Sequence, residues 1–166
     1  MSSHLPITVF LVISIVALPI AVAAQTIEFS RIRLEYREDA SFKRISEYFT
    51  GEENTGRRIV FRTQDSDRNG FYFSFRIEAT GEATMSEGTI ALLVFAPGTY
   101  EPTEYIFGLG VQTRRGIKVL IGLTGTDWAD PKAKPVAWRL EFRNATGQPI
   151  GFEESFLWRL PEDEDS

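Results

Sequence analysis

The segment DSDRNG, residues 65–70, places oxygen-bearing side chains at the spacing of a calcium-binding loop. Asp65, Asp67 and Asn69 would be the side-chain ligands. The pattern fails later, because the twelfth position of such a loop needs a bidentate Glu and is Arg76 here. We therefore favour a hairpin loop closed by the Asn-Gly pair, with calcium binding as the alternative.

A second candidate site is the segment TGTDWADPKAKP, residues 124–135, which has no strand pattern and two prolines. The ring of Trp128 could stack on a sugar or anchor a protein partner, with Thr126, Asp127 and Asp130 beside it. The interpretation we favour is that Trp128 folds back and closes one end of the domain, because a Trp side chain is seldom fully exposed.

Most enzyme chemistry is excluded by residue type. The single histidine is His4, close to the N-terminus, and the chain has no cysteine. Beyond the N-terminal segment this excludes Ser–His–Asp triads, cysteine nucleophiles and ordinary zinc sites. Glu154, in phase with Phe152 and Trp158, is a candidate buried acid, although pairing with an arginine is the favoured interpretation. The sequence predicts a non-catalytic protein without a cofactor.

The N-terminal segment has the pattern of an export signal. Residues 5–24 contain no charged residue and end in ALPIAVAA, whose alanines directly before Gln25 have the spacing of a cleavage site. This predicts a signal peptide over residues 1–24. A run of 20 residues can also span a bilayer, so an N-terminal membrane anchor helix is the alternative. The absence of cysteine favours a bacterial envelope over an animal secretome.

Period-two alternation predicts strands through residues 25–160. In FYFSFRIE, the side chains of Phe71, Phe73, Phe75 and Ile77 share one face. Further strands are predicted at residues 27–36, 89–96, 116–123, 136–143 and 152–158, the first with a β-bulge after its third residue. About seven to eight short strands separated by turns predict a single antiparallel β-sandwich of immunoglobulin-like type, with a small β-barrel as the alternative.

One stretch has helical spacing. In residues 41–51, SFKRISEYFTG, the apolar side chains of Phe42, Ile45 and Phe49 recur on one helical face. Ser41 is the predicted N-cap and Gly51 the predicted C-cap. An irregular strand is the alternative.

The charge of the chain is acidic, at −5, and residues 161–166, PEDEDS, form an acidic C-terminal tail. Nucleic acid is an unsuitable partner, because phosphate contacts need clustered Lys and Arg. The pair Arg57–Arg58 is interpreted as part of a solvated turn.

These observations predict an exported β-sandwich, periplasmic or secreted, that acts by binding. The first hypothesis is an accessory or protein-interaction subunit whose partner is another envelope protein. The second is a carbohydrate-binding module that uses the Trp128 loop, and the third is a carboxylate-based hydrolase. Membrane contact is expected only if residues 5–24 are retained as an anchor facing the periplasm.

Overall fold

The computed structural model describes residues 26–80, 85–114 and 116–159. The signal peptide predicted over residues 1–24, its alternative as an anchor, and the acidic tail at 161–166 lie outside the described residues. No helix within the described ranges is long and apolar enough to cross a bilayer.

Short strands dominate the described residues. They are β1 (Thr26–Arg37), β2 (Arg58–Arg62), β3 (Gly70–Thr80), β4 (Gly88–Phe95), β5 (Thr103–Leu109), β6 (Gly116–Thr124), β7 (Ala137–Asn144) and β8 (Pro149–Glu154). The helical elements are α1 (Ile45–Thr50) and single 3-10 turns at Asp39–Ser41, Gly125–Trp128 and Phe156–Trp158.

The strands form two four-stranded sheets that pack face to face. Sheet 1 has the order β1–β3–β6–β2, and sheet 2 has the order β5–β4–β7–β8. The pairs are antiparallel except β2 with β6, which is parallel. Without β2, sheet 1 contains β1, β3 and β6, and sheet 2 contains β5, β4, β7 and β8. This is the Greek-key strand order of an immunoglobulin domain, with the fourth of these strands, β5, in sheet 2. The predicted immunoglobulin-like β-sandwich is confirmed, and the barrel alternative is wrong.

One apolar core fills the space between the sheets. Phe73 and Ile121 of sheet 1 and Leu92 and Phe142 of sheet 2 have no exposed surface. Burial of each such side chain contributes roughly 1.5–3 kcal/mol relative to exposure. The described residues therefore contain two packed layers and the core between them, and a unit of this kind is able to fold by itself.

The predicted bulge in β1 is confirmed. The pairing of β1 with β3 shifts between Ser30 and Arg33, and Arg31 has a φ of 55°, which is unusual for a residue other than Gly. Phe29 before the bulge and Ile32 after it both pack against the core. The extra residue therefore changes the phase of the strand and leaves Arg31 and Arg33 on the outer side of sheet 1.

Because β1 and β2 lie at opposite edges of sheet 1, residues 38–57 must cross its outer face; we call this segment the crossover. Phe42 fixes the crossover to the sheet. Its side chain is 9% exposed and packs with Leu120 and Tyr72, the rings of Phe42 and Tyr72 lying 4.9 Å apart.

The helix in the crossover forms, but its predicted apolar face is wrong. α1 begins after Arg44 rather than Ser41, which lies in a 3-10 turn, while Gly51 caps the C-terminus with φ 70° as predicted. Ile45 and Phe49 are 78% and 85% exposed. The reason is that Glu47, on the opposite side of the helix, pairs at 2.6 Å with Arg68 beneath it.

The predicted hairpin at residues 65–70 is also wrong. β2 pairs only with β6, so the chain between β2 and β3 passes over the end of β6 instead of reversing beside it. Gly70 does not have a positive φ. It is needed because a Cβ atom there would lie 2.2 Å from the carbonyl oxygen of Leu123.

Two further strand predictions need correction at their ends. The strand predicted at 136–143 begins at Ala137, and Val136 is 49% exposed. The strand predicted at 152–158 ends at Glu154, where a 3-10 turn follows.

Candidate functional site

The two loops selected from the sequence lie side by side at one end of the sandwich. The backbone N–H of Gly125 donates to the carbonyl oxygen of Asn69 at 3.2 Å. A shallow cavity of about 520 Å³ is lined by Thr126 and Trp128 of one loop and by Asp67 and Asn69 of the other. The contact between these two loops at the end of β6 therefore brings together residues that are about sixty positions apart in the chain.

Trp128 closes this end of the sandwich, as the favoured interpretation predicts. Its side chain is 6% exposed, its ring lies 5.3 Å from that of Phe71, and its Nε1–H donates to the carbonyl oxygen of Ala133 at 3.3 Å. The ring has no free face on which a sugar could stack. The carbohydrate hypothesis therefore loses the aromatic platform on which it depended.

Three of the other candidate side chains of these loops accept hydrogen bonds from the backbone. Asn69 Oδ1 accepts from the N–H of Asp39 at 2.8 Å, and Asp67 Oδ1 accepts from the N–H of Asn69 at 2.9 Å. Asp130 Oδ1 accepts from the N–H of Lys132 at 2.8 Å, which stabilises a turn. Asp65 and Asp127 are exposed.

No metal centre is evident in the parts of the chain that the structure describes, since no group of three or more His, Cys, Asp or Glu side chains there could hold an ion. Asp67 and Asn69 line the cavity between the loops, but Asp65 does not. The three predicted calcium ligands are therefore not gathered around this cavity.

The buried carboxylates on the outer face of sheet 2 are paired with arginines. Glu154 Oε2 lies 2.6 Å from Arg139 Nη1, as the favoured interpretation of Glu154 predicts. Burial acts to raise the pKa of Glu141, but hydrogen bonds from Arg143 and Arg139 outweigh it and hold that pKa below its ordinary value. Glu141 is thus kept ionised, the opposite of what a general acid requires.

The outer face of sheet 1 carries a basic groove that the sequence analysis did not identify. It has a volume of about 560 Å³ and a single carboxylate, that of Glu35, in its lining. Its basic residues are Arg31, Arg33, Arg37, Arg44, Arg57, Arg58, Arg76 and Lys118. We call it the arginine groove; it holds eight of the 18 Lys and Arg residues of the chain.

Three of these cations lie in one row across the sheet. Arg58 of β2 pairs in register with Lys118 of β6, and Lys118 pairs in register with Arg76 of β3. Like charges directly opposite each other on neighbouring strands destabilise a sheet. Repulsion within this row therefore opposes folding, and an anion placed over the row would replace it with attraction.

Few of the groove cations are neutralised within the protein. Arg37 pairs with Glu35, and Arg76 Nε lies 2.6 Å from Glu78 Oε1. Among the described residues, no acidic side chain forms an ion pair with the remaining six, which are Arg31, Arg33, Arg44, Arg57, Arg58 and Lys118.

Sheet 2 provides a comparison within the same molecule. On its outer face Arg139 lies in register with Glu154, and Glu141 accepts hydrogen bonds from both Arg139 and Arg143. Arg143 also pairs with Glu104 at 2.8 Å. That face neutralises itself, whereas the corresponding face of sheet 1 does not.

The interpretation of Arg57–Arg58 as a solvated turn was wrong for Arg58. Arg58 is the first residue of β2 and is only partly exposed. The available signal was that the outward positions of several strands are basic, as at Arg33, Arg76 and Lys118. It was hidden by the net charge of −5, which says nothing about how charges are distributed.

Comparisons with known proteins add little to this description. No protein-family model matches the chain, and no curated protein is significantly similar to it. Among solved structures, it is similar to the crystal structure of an immunoglobulin-like protein from Pseudomonas aeruginosa, at 12% identity and a TM-score of 0.37, over 81% of this chain and 96% of that chain. The fold assignment therefore rests on the strand order of the two sheets.

The plug formed by Trp128 leads to a stability prediction. Trp128→Ala should lower the free energy of unfolding by about 3–5 kcal/mol, because a buried aromatic ring is lost. Trp158→Ala is the matched control, since Trp158 is partly buried against Phe95 on the outer face of sheet 2 and should cost less. Denaturant melts measure both; a near-zero loss for Trp128→Ala would contradict its role as a plug.

The cation row leads to the prediction that a substitution in it increases the free energy of unfolding. Lys118→Gln should raise the free energy of unfolding by a few tenths of a kcal/mol to about 1 kcal/mol at low salt, because it removes the middle charge of the row. The gain should shrink as salt screens the repulsion. Lys132→Gln, at an exposed loop lysine, is the control and should have almost no effect. A loss of stability in Lys118→Gln would show that this lysine stabilises the sheet.

Proposed function

We propose that the protein is a non-catalytic binding domain of the bacterial cell envelope that holds an anionic partner in the arginine groove. The observation that carries this proposal is the row of Arg58, Lys118 and Arg76 in cross-strand register. Guanidinium groups present several N–H donors in a fixed plane, which suits phosphate and carboxylate groups.

The location in the envelope is supported by the sequence pattern of residues 1–24 and by the absence of cysteine. Export also keeps the domain away from nucleic acid. That exclusion now depends on export alone, because the groove supplies the clustered Lys and Arg side chains that the chain was expected to lack.

The remaining hypotheses have less support. A neutral glycan would need an exposed aromatic platform, and Trp128 is buried. A carboxylate-based hydrolase would need an acid with a raised pKa, and Glu141 has a lowered one. The binding role in the envelope that was predicted from the sequence is kept, with an anionic surface as the feature that the partner must present.

Binding of inorganic tripolyphosphate, measured by titration calorimetry, tests the groove. The double variant Arg58→Gln/Lys118→Gln should weaken this binding at least about tenfold, because charge-assisted hydrogen bonds are lost. Affinity of the unchanged protein should also fall steeply with salt. The control is Lys132→Gln/Lys134→Gln, which removes the same charge from the loop at 124–135.

Two results would contradict the proposal. One is equal weakening by both double variants, which would mean that only overall charge matters. The other is no measurable binding of tripolyphosphate by the unchanged protein at low salt.

Export has its own test. The full chain, expressed in a bacterium, should be recovered from the cell envelope with an N-terminus near Gln25, as determined by mass spectrometry of the intact protein. Recovery only from membranes with Met1 still present would instead support the anchor alternative.

A further inference from the structure

We infer that the anionic partner is the phosphate-bearing surface of a lipid bilayer, entered by the side chains of Ile45, Tyr48 and Phe49. This inference rests on the proposed function, since it names what the arginine groove faces. It differs from the membrane contact expected from the sequence, which depended on residues 5–24.

The apolar side chains of α1 have no partner within the described part of the domain. Ile45, Tyr48 and Phe49 are 78%, 79% and 85% exposed. α1 is inverted, because Glu47 faces the domain and pairs with Arg68, so the opposite side of the helix carries Ile45 and Phe49 outward. Single exposed apolar residues are ordinary, but three within five consecutive positions mark a contact surface.

The exposed side chains of Ile45, Tyr48 and Phe49, which we call the apolar tip, lie on the same side of the molecule as the groove. The crossover packs on the outer face of sheet 1 through Phe42, and the groove is open on that same face. Arg44 lines the groove and immediately precedes Ile45. A flat surface approaching sheet 1 would therefore meet the apolar tip and the groove cations together.

A bilayer suits this surface better than an acidic protein does. Anchors in protein interfaces fill pockets in a partner that matches them in shape. The side chains of α1 instead project from a convex helix beside a broad, shallow groove. An interfacial bilayer site needs no matching shape: it combines burial of apolar side chains with attraction of Lys and Arg to anionic headgroups. Tyr48 has the amphipathic ring favoured at such interfaces.

Sedimentation with lipid vesicles tests the inference, using the protein from Gln25 onward so that the leader does not contribute. This protein should bind vesicles made of equal parts phosphatidylcholine and phosphatidylglycerol. It should not bind vesicles made of phosphatidylcholine alone. Tyr48→Ser/Phe49→Ser should reduce binding at least about tenfold, because two ring contacts with the interface are lost. Each cation removed from the groove should cost about fivefold.

The matched control is Tyr100→Ser/Phe156→Ser, which removes two aromatic side chains that are 99% and 75% exposed outside α1. It should bind vesicles as the unchanged protein does. A thermal melt of each variant verifies folding, and exposed positions such as these should change stability little.

Tripolyphosphate separates failure of this inference from failure of the proposed function. Tyr48→Ser/Phe49→Ser should keep the tripolyphosphate affinity of the unchanged protein while it loses vesicle binding. If vesicle binding is unchanged in this variant, or if polyglutamate is bound more tightly than the vesicles, the lipid inference is overturned and the anion groove stands. If the unchanged protein binds neither tripolyphosphate nor vesicles, both the lipid inference and the proposed function are overturned.

Discussion

The surface of this protein depends on one topological constraint: β1 and β2 occupy opposite edges of sheet 1, so the crossover must pass over its outer face. Both strands run parallel to β6, and a parallel connection of this kind needs a dozen or more residues. Phe42 anchors the crossover on Tyr72, and Arg62 holds it by two hydrogen bonds to Glu53, at 2.8 and 2.6 Å. The crossover thereby covers one end of the sheet, leaves the end near Lys118 open, and presents α1 outward.

The core, rather than the surface, sets the register of the cation row. Ile77 and Val119 are fully buried next to Arg76 and Lys118 along the same strands. Because side chains alternate between the two faces of a strand, a slip of one residue would expose the buried row. Each buried apolar side chain contributes roughly 1.5–3 kcal/mol, more than repulsion between screened charges removes. The apolar pattern therefore forces like charges opposite one another, and the fold tolerates them.

The local sequence pattern was sufficient to predict the structure where one strand face is fully buried, as in residues 70–80 and 116–124. It was also sufficient where residue type determines the backbone conformation, as with the left-handed cap at Gly51. It failed where a contact with a distant residue determines which way a side chain faces or which strands pair. Glu47 turns inward because Arg68 lies beneath it, and this reverses the predicted face of α1. β2 and β5 were not recognised, since RIVFR is half-buried throughout and β5 is mostly exposed. The cation row depends on the strand order β3–β6–β2, which no local pattern contains.

The charge of the molecule, finally, is distributed unevenly over its surface. The eight cations and one carboxylate of the arginine groove together carry +7, so the rest of a chain of net charge −5 carries −12. Sheet 2 adds no second positive face, because Arg139 and Arg143 are neutralised by Glu141 and neighbouring carboxylates. An anionic surface attracts the groove face of such a molecule within a Debye length. On the proposed function, this attraction turns sheet 1 towards the surface before contact, and the exposed side chains of α1 then reach the interface without a deep binding pocket.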